Sequence, residues 1–456
     1  MILERIKSEG IAHNSYLIGS ESDAAVIDPR RDCQIYVELA QQHGLKIKHI
    51  FETHRNEDYV IGSLELNYLT GAEIYHGPGL EWKYGNTLRD GQEFNIGKIR
   101  LTAIHTPGHT DESMSYAVVD LSSGEATVMV FTGDALFVGD VGRTDLYGPE
   151  DAPRLASNLY DSIFNKLLPL GDGVILCPAH GAGSVCGLNI AERDESTLGI
   201  ERAQNPLLQK SRDDFIKHKV AEQPERPHYF RQMEKYNLEG PPLLGCMPLP
   251  SPLTPNEFRQ EMEKGAVVVD TSEPAAFGGA HIKGAYSIWL EGLPVFAGWV
   301  LSYDRPILMI LEDQGHLERA VRYLIRAGYD QITGYLKDGT EGWYNTGFPT
   351  ESLPLLSVRQ LKDKIDRDED LLVLDTRGQD EWDSGHIKGA LHIYVGHLEQ
   401  RLDEVPRDKP VAVICNVGHR AGLGASILLR AGYQEVYNVL GSVKAWVAAG
   451  FPTTTD

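Results

Sequence analysis

His281-Ile282-Lys283-Gly284-Ala285 returns, roughly a hundred residues later, as His386-Ile387-Lys388-Gly389-Ala390. Three further matches keep the same order and nearly the same spacing. Val267-Val268-Val269-Asp270-Thr271 is echoed by Leu372-Val373-Leu374-Asp375-Thr376, Arg326-Ala327-Gly328-Tyr329 by Arg430-Ala431-Gly432-Tyr433, and Gly347-Phe348-Pro349-Thr350 by Gly450-Phe451-Pro452-Thr453. The C-terminal half is therefore duplicated. Within each copy, apolar runs such as 267–269 and 411–414 have the look of buried parallel strands. The amphipathic stretches 317–327 and 421–431 read as helices, each ending beside a Gly suited to a C-cap. Each copy is thus expected to be an α/β unit with a parallel sheet. The Pro- and Gly-rich segment 240–255 reads as a linker before the first copy, and Leu353-Pro354-Leu355 joins the two.

Upstream of the duplication the texture changes. Short apolar runs at 24–27, 48–51, 99–104, 128–131 and 173–176 alternate with turn signals. Four places downstream of such runs carry chemically capable residues: Thr53-His54-Arg55-Asn56-Glu57-Asp58-Tyr59, Thr106-Pro107-Gly108-His109, Thr132-Gly133-Asp134 and Pro178-Ala179-His180-Gly181. Strand ends and the loops after them are where sites assemble in sheet-based α/β folds.

Composition narrows the classes. A chain of 456 residues is too long for one core, which suggests about three domains. Lys and Arg number 43 against 65 Asp and Glu, and the net charge of −22 disfavours a nucleic-acid partner. No apolar run approaches the roughly 20 residues of a membrane span, and Met1-Ile2-Leu3-Glu4-Arg5-Ile6 lacks the pattern of a secretory signal. The five cysteines, Cys33, Cys177, Cys186, Cys246 and Cys415, are odd in number and form no C-x-x-C pair. A reducing, cytoplasmic location fits them better than a disulfide framework.

The order and spacing of the four N-terminal motifs resemble the metallo-β-lactamase superfamily over residues 1–240, which implies an αββα sandwich. The following Val138-Gly139-Asp140-Val141-Gly142-Arg143-Thr144-Asp145 resembles the persulfide dioxygenase and glyoxalase II branch. The family's first motif is T-H-x-H-x-D-H, and this chain departs from it at Asn56 and Tyr59. In the family's dinuclear hydrolases those positions serve both metals, so their loss argues against a bridging-hydroxide hydrolase. His54, His109 and Asp134 remain. Two imidazoles and one carboxylate leave about three open positions on an octahedral ion, the facial arrangement of non-haem Fe(II) oxygenases. The resemblance implies one Fe(II) per chain at these residues, although zinc or manganese also suits such ligands. Asp58 and His180 are candidates for holding a ligand or bound water by hydrogen bonds. Tyr59 is either such a donor or packing. Arg143 would pair with an anionic part of a thiol substrate or form a structural ion pair. The plain alternative for the whole set is a metal-free, degenerate domain.

In the second copy, Val411-Ala412-Val413-Ile414-Cys415-Asn416-Val417-Gly418-His419-Arg420-Ala421 reads as a buried strand ending in Cys, a short loop with Gly, and Arg at a helix start. Loop N–H groups and the positive helix end favour thiolate, the form that attacks a sulfane sulfur. The pattern resembles the C-x-x-G-x-R loop of rhodanese sulfurtransferases, with Cys415 and Arg420 in the catalytic places. Asp375-Thr376 and Gly385-His386-Ile387 match other signatures of that family. The phosphatases of this class have one more residue in the loop. In the first copy, Ile307-Leu308-Met309-Ile310 leads into Leu311-Glu312-Asp313-Gln314-Gly315-His316, which has no cysteine and two acids that would repel an anionic donor. That copy reads as catalytically inactive, with His281 structural, and its task as packing, positioning the active copy, or dimerisation; a homo-oligomer is expected.

The domain limits read from the sequence are 1–240, a linker at 241–255, an inactive copy at 256–352 and an active copy at 353–456. This order resembles bacterial persulfide dioxygenase–sulfurtransferase fusions and implies sulfide detoxification. A low-molecular-weight thiol persulfide (glutathione, coenzyme A or bacillithiol type) and O2 would yield sulfite and thiol. Cys415 would move sulfane sulfur among persulfide, sulfite and thiosulfate. Fusion raises the effective concentration of a shared intermediate. Two readings compete: a two-metal glyoxalase II-like thioesterase, and a non-catalytic scaffold or persulfide sensor attached to a sulfurtransferase.

Overall fold

The computed structural model describes residues 1–222 and 224–456. The chain divides into two compact units, one formed chiefly by Met1–Met247 and the other by Pro248–Leu324 with Tyr329–Asp456.

The first unit is built on two sheets. One runs Ile2–Ser8, His13–Ser20, Asp23–Ile27, Lys46–Phe51, Glu73–His76 and Asn86–Thr87; the other runs Ile175–Pro178, Thr127–Gly133, Met114–Asp120, Ile99–His105 and Glu93–Ile96. Alternation along the strands decides how they pack. Tyr16, Ile18, Ala25, Ile27 and Phe51 of the first sheet share one core with Leu101, Tyr116, Val118 and Phe131 of the second. Their neighbours Leu17, Val26 and Ile50 point the other way, onto Tyr36 of the helix Gln34–Gln42 and Leu66 of the helix Ser63–Thr70. Val130 and Leu176 likewise turn outward onto Leu159 of the helix Ala152–Ser162 and Phe215 of the helix Arg212–Ala221. A strand buried on both faces against a sheet and a helix layer gives the expected αββα sandwich.

The second unit repeats one topology twice. The strands Ser251–Leu253, Ile332–Leu336, Ile307–Ile310, Val267–Asp270 and Tyr286–Ser287 lie side by side in that order. Leu355–Ser357, Val436–Leu440, Val411–Ile414, Leu372–Asp375 and Leu391–His392 do the same in the second copy. All the pairings are parallel. The expected α/β copies are present, and the helices Leu317–Arg326 and His419–Arg430 are followed by Gly328 and Gly432 at positive φ. The repeated histidines are structural in both. His281 Nδ1 meets the Phe277 carbonyl at 2.9 Å and the ring stacks on Phe277; His386 does the same on Trp382, at 3.1 Å.

One boundary needs correction. The segment 241–255 is not all linker, because Ser251–Leu253 pairs with Ile332–Leu336 as the edge strand of the first copy. Three residues are too few to show a period of two, and Pro252 disguised a strand that an edge tolerates. Among the described residues, no helix is long and apolar enough to cross a membrane.

Candidate metal centre and sulfur-carrying loop

The four N-terminal motifs follow the C-terminal ends of the strands Lys46–Phe51, Ile99–His105, Thr127–Gly133 and Ile175–Pro178, and the fold gathers them into one buried site. Gly133 makes this possible. It sits at φ +54°, and a Cβ there would lie 2.7 Å from the Thr53 side chain, so only Gly lets the Asp134 loop approach the His54 loop.

Each imidazole is aimed by a partner on its far side. The Thr53 hydroxyl donates to Asp28 at 2.8 Å, which leaves its oxygen to accept from His54 Nδ1 at 2.9 Å. His109 Nδ1 donates to the Arg143 carbonyl at 2.9 Å. Both Nε2 atoms are thereby left available to a metal. They lie 3.7 Å (His54) and 3.5 Å (His109) from Asp134 Oδ2. Although buried beside carboxylates, neither Nε2 has a hydrogen-bond partner among the described residues. Two ring nitrogens without partners, both facing one carboxylate, are what a divalent cation would satisfy, so the donor set fits the implied metal. Burial opposes a charge on His109, but the Glu57 carboxylate outweighs it and pushes the ring up to about 9; metal binding here would release that proton.

The remaining predicted residues fall into distinct places. His180 bridges two carboxylates, with Nδ1 2.8 Å from Asp134 Oδ1 and Nε2 3.1 Å from Asp58 Oδ2. Burial disfavours its charged form, yet Asp134 and Asp58 hold its pKa well above the ordinary value. The ring therefore fixes Asp134 from behind. Tyr59 contacts His13 Nε2 through its hydroxyl at 2.9 Å, and His13 Nδ1 reaches Ser8. Burial, followed by the nearby His180, keeps His13 neutral by holding its pKa well below the usual range. Arg143 is bidentate to Asp145 at 2.8 and 2.7 Å and also donates to the Val185 carbonyl, so the structural ion pair is the arrangement found.

Three residues of this site escaped the sequence reading: His13, Glu57 and Cys186. Glu57 joins His54 and His109, and Cys186 joins Asp58 and His180, in groups whose ligand atoms lie within 4.8 Å of one another. Glu57 occupies a position the motif leaves free, and nothing in the spacing of His13 or Cys186 marked them.

The Asp28–Thr53–His54 chain carries a prediction. Thr53→Val keeps the volume but removes both hydrogen bonds. Metal affinity is expected to fall about 10- to 100-fold, measured by competition against a chelator. Unchanged affinity would show that His54 is not held through Thr53.

In the second unit, Cys415 follows the buried strand Val411–Ile414 and is itself buried. Gly418, at φ +115°, turns its N–H onto Cys415 Sγ at 3.0 Å. The helix His419–Arg430 starts at once, its positive end toward the thiol. Arg420 is held by Glu381 through both guanidinium nitrogens, at 2.5 and 2.7 Å. The cysteine-free copy reaches this loop: Glu273 Oε2 is 3.0 Å from His419 Nε2, and the Trp289 ring lies 4.8 Å from the His419 ring.

Comparison with known proteins follows this division. The model of the metallo-beta-lactamase superfamily matches residues 9–180, and that of the rhodanese-like domain matches residues 254–346 and 357–449. The chain is 31% identical over 215 residues to the mitochondrial persulfide dioxygenase ETHE1 of Bos taurus, covering 44% of this chain and 74% of that protein. It is 36% identical over 228 residues to an uncharacterized protein of Mycobacterium tuberculosis, covering 44% of this chain and 94% of the relative. A crystal structure described as a metallo-beta-lactamase from Staphylococcus aureus subsp. aureus COL is similar over 74% of this chain and 99% of that one, with a TM-score of 0.66 and 31% identity.

Proposed function

We propose, for a chain that belongs to the metallo-β-lactamase superfamily alongside persulfide dioxygenases and carries two rhodanese-like domains behind that fold, a paired sulfur-oxidising and sulfur-transferring activity. His54, His109 and Asp134 would hold one Fe(II), which when bound would supply the redox chemistry joining O2 to a thiol persulfide. The persulfide, O2 and water give thiol, sulfite and two protons. The chain's own residues prepare the site. Thr53 and the Arg143 carbonyl aim the imidazoles, His180 and Asp58 fix Asp134, and burial excludes bulk water. Cys415 then accepts sulfane sulfur and passes it on.

The observation that carries this reading is the convergence of two hydrogen-bond-free Nε2 atoms on one Asp134 oxygen. A second reading, a two-metal hydrolase, draws on the Asp58, His180 and Cys186 group. Against it, His180 Nδ1 is held by Asp134 at 2.8 Å, and Asn56 and Tyr59 stand where the dinuclear hydrolases have ligating histidines. Metal analysis of the full chain, purified without air, separates the cases. About one iron per chain is expected; two zinc ions would favour the hydrolase, and no metal would leave a scaffold attached to a sulfurtransferase.

A further inference from the structure

We propose that Glu57 is a fourth protein ligand of the metal at His54, His109 and Asp134, so that the centre has two imidazoles and two carboxylates. This rests on the metal-centre reading above and changes its coordination. Glu57 is buried, at 1% exposure, in a site where an unpaired carboxylate is costly. Its Oε1 lies 3.0 Å from His109 Nε2, the nitrogen left over once Nδ1 has bound the Arg143 carbonyl. Its Oε2 has no hydrogen-bond partner among the described residues, and the Cys186 thiol lies 3.8 Å from Oε1.

Three donor contacts around His109 and His54 are short enough to share one ion after small adjustments. Donor atoms about 2.1 Å from a shared octahedral ion lie about 3.0 Å apart when adjacent and about 4.2 Å when opposite. Here Glu57 Oε1 is 3.0 Å, and Asp134 Oδ2 3.5 Å, from His109 Nε2, while Asp134 Oδ2 is 3.7 Å from His54 Nε2. The ligand atoms of His54, Glu57 and His109 all fall within 4.8 Å. The short Glu57–His109 contact also leaves His109 Nε2 without a hydrogen bond of acceptable geometry. Two atoms directed at a common third point would give that combination.

The chemical consequence is specific. With two carboxylates the ligand charge balances a divalent ion, and about two of six positions remain for incoming molecules instead of three. Asn56 stands where the family has a neutral ligating His, and the next residue along the same loop brings a carboxylate to the site.

The test is a titration of the metal-free full chain with Co(II) alone, reading affinity by calorimetry and coordination by visible absorption. Wild type is expected to take up a first equivalent tightly. Glu57→Gln, which keeps the side-chain volume, is expected to weaken it by roughly 100-fold and to alter the absorption band. Glu57→Asp, a shorter carboxylate, should lose about tenfold with a smaller spectral change. Circular dichroism and the unfolding midpoint of the metal-free variants check the fold; if Glu57→Gln fails to fold, Glu57→Asp decides. Wild-type affinity and spectrum in a folded variant would overturn the fourth ligand while leaving the three-residue centre in place. Failure of wild type to bind Co(II) would overturn both.

Discussion

His109→Ala is expected to abolish persulfide-dependent O2 uptake and to leave sulfur transfer at Cys415 intact. His109 Nδ1 is fixed by the Arg143 carbonyl, so the ring has one productive orientation, and its Nε2 lies 3.5 Å from Asp134 Oδ2 and 3.0 Å from Glu57 Oε1. His54, His109, Glu57 and Asp134 are all buried. Alanine removes the imidazole that both buried carboxylates contact, and two buried carboxylates short of one cationic or metal-bound partner disfavour a compact donor set. A metal is worth several kcal/mol of charge stabilisation to its reaction, so O2 uptake should fall by about 10³-fold or more. An oxygen electrode and iron analysis of the same preparation read both consequences. Retention of more than about a tenth of the uptake would sink the assignment of His109 as a ligand.

The fold was legible because its signals are periodic and repeated. Two copies of one unit announce themselves by matched segments, and strands such as Asp23–Ile27 and Lys46–Phe51 coincide with short apolar runs between turns. His54, His109 and Asp134 were legible because each follows a strand in a recognisable motif. What stayed hidden depends on tertiary contact. His13 lies in a strand whose neighbours are ordinary core residues, and it enters the site only because that strand's start pairs with His180. Cys186 lies six positions after His180 with no spacing rule to single it out. In the sulfur-carrying loop, Cys415, Gly418 and Arg420 were readable as a pattern. Glu381, which clamps Arg420, and Glu273 and Trp289 of the cysteine-free copy, which reach His419, were not. The cysteine-free copy thus contacts the Cys415 loop of the other.

Cys415→Ser is expected to remove sulfur transfer, by about 10³-fold or more, with O2 uptake unchanged. In the proposed transfer the Cys415 thiolate attacks the outer sulfur of a persulfide, the new S–S bond forms at Sγ, and the donor leaves as a thiolate. Sulfite then attacks that outer sulfur, giving thiosulfate and regenerating the Cys415 thiolate. Serine cannot substitute at either stage, because its hydroxyl stays protonated near neutral pH and an oxygen carrier is a poor exchange partner for sulfur. The surroundings should survive the change. Gly418 N–H can donate to a hydroxyl as it does to Sγ at 3.0 Å, and the Glu381–Arg420 pair does not depend on the sulfur. The measurement pairs thiosulfate formation with persulfide-driven O2 consumption on one preparation. The sign of the second reading matters most. His54, Glu57, His109 and Asp134 belong to the first unit, and Cys415, Gly418, Arg420 and Glu381 to the second. Neither should therefore need the other to turn over. Loss of O2 uptake in Cys415→Ser would mean that the persulfide reaches the metal by way of Cys415, and the proposed division of labour would have to be abandoned.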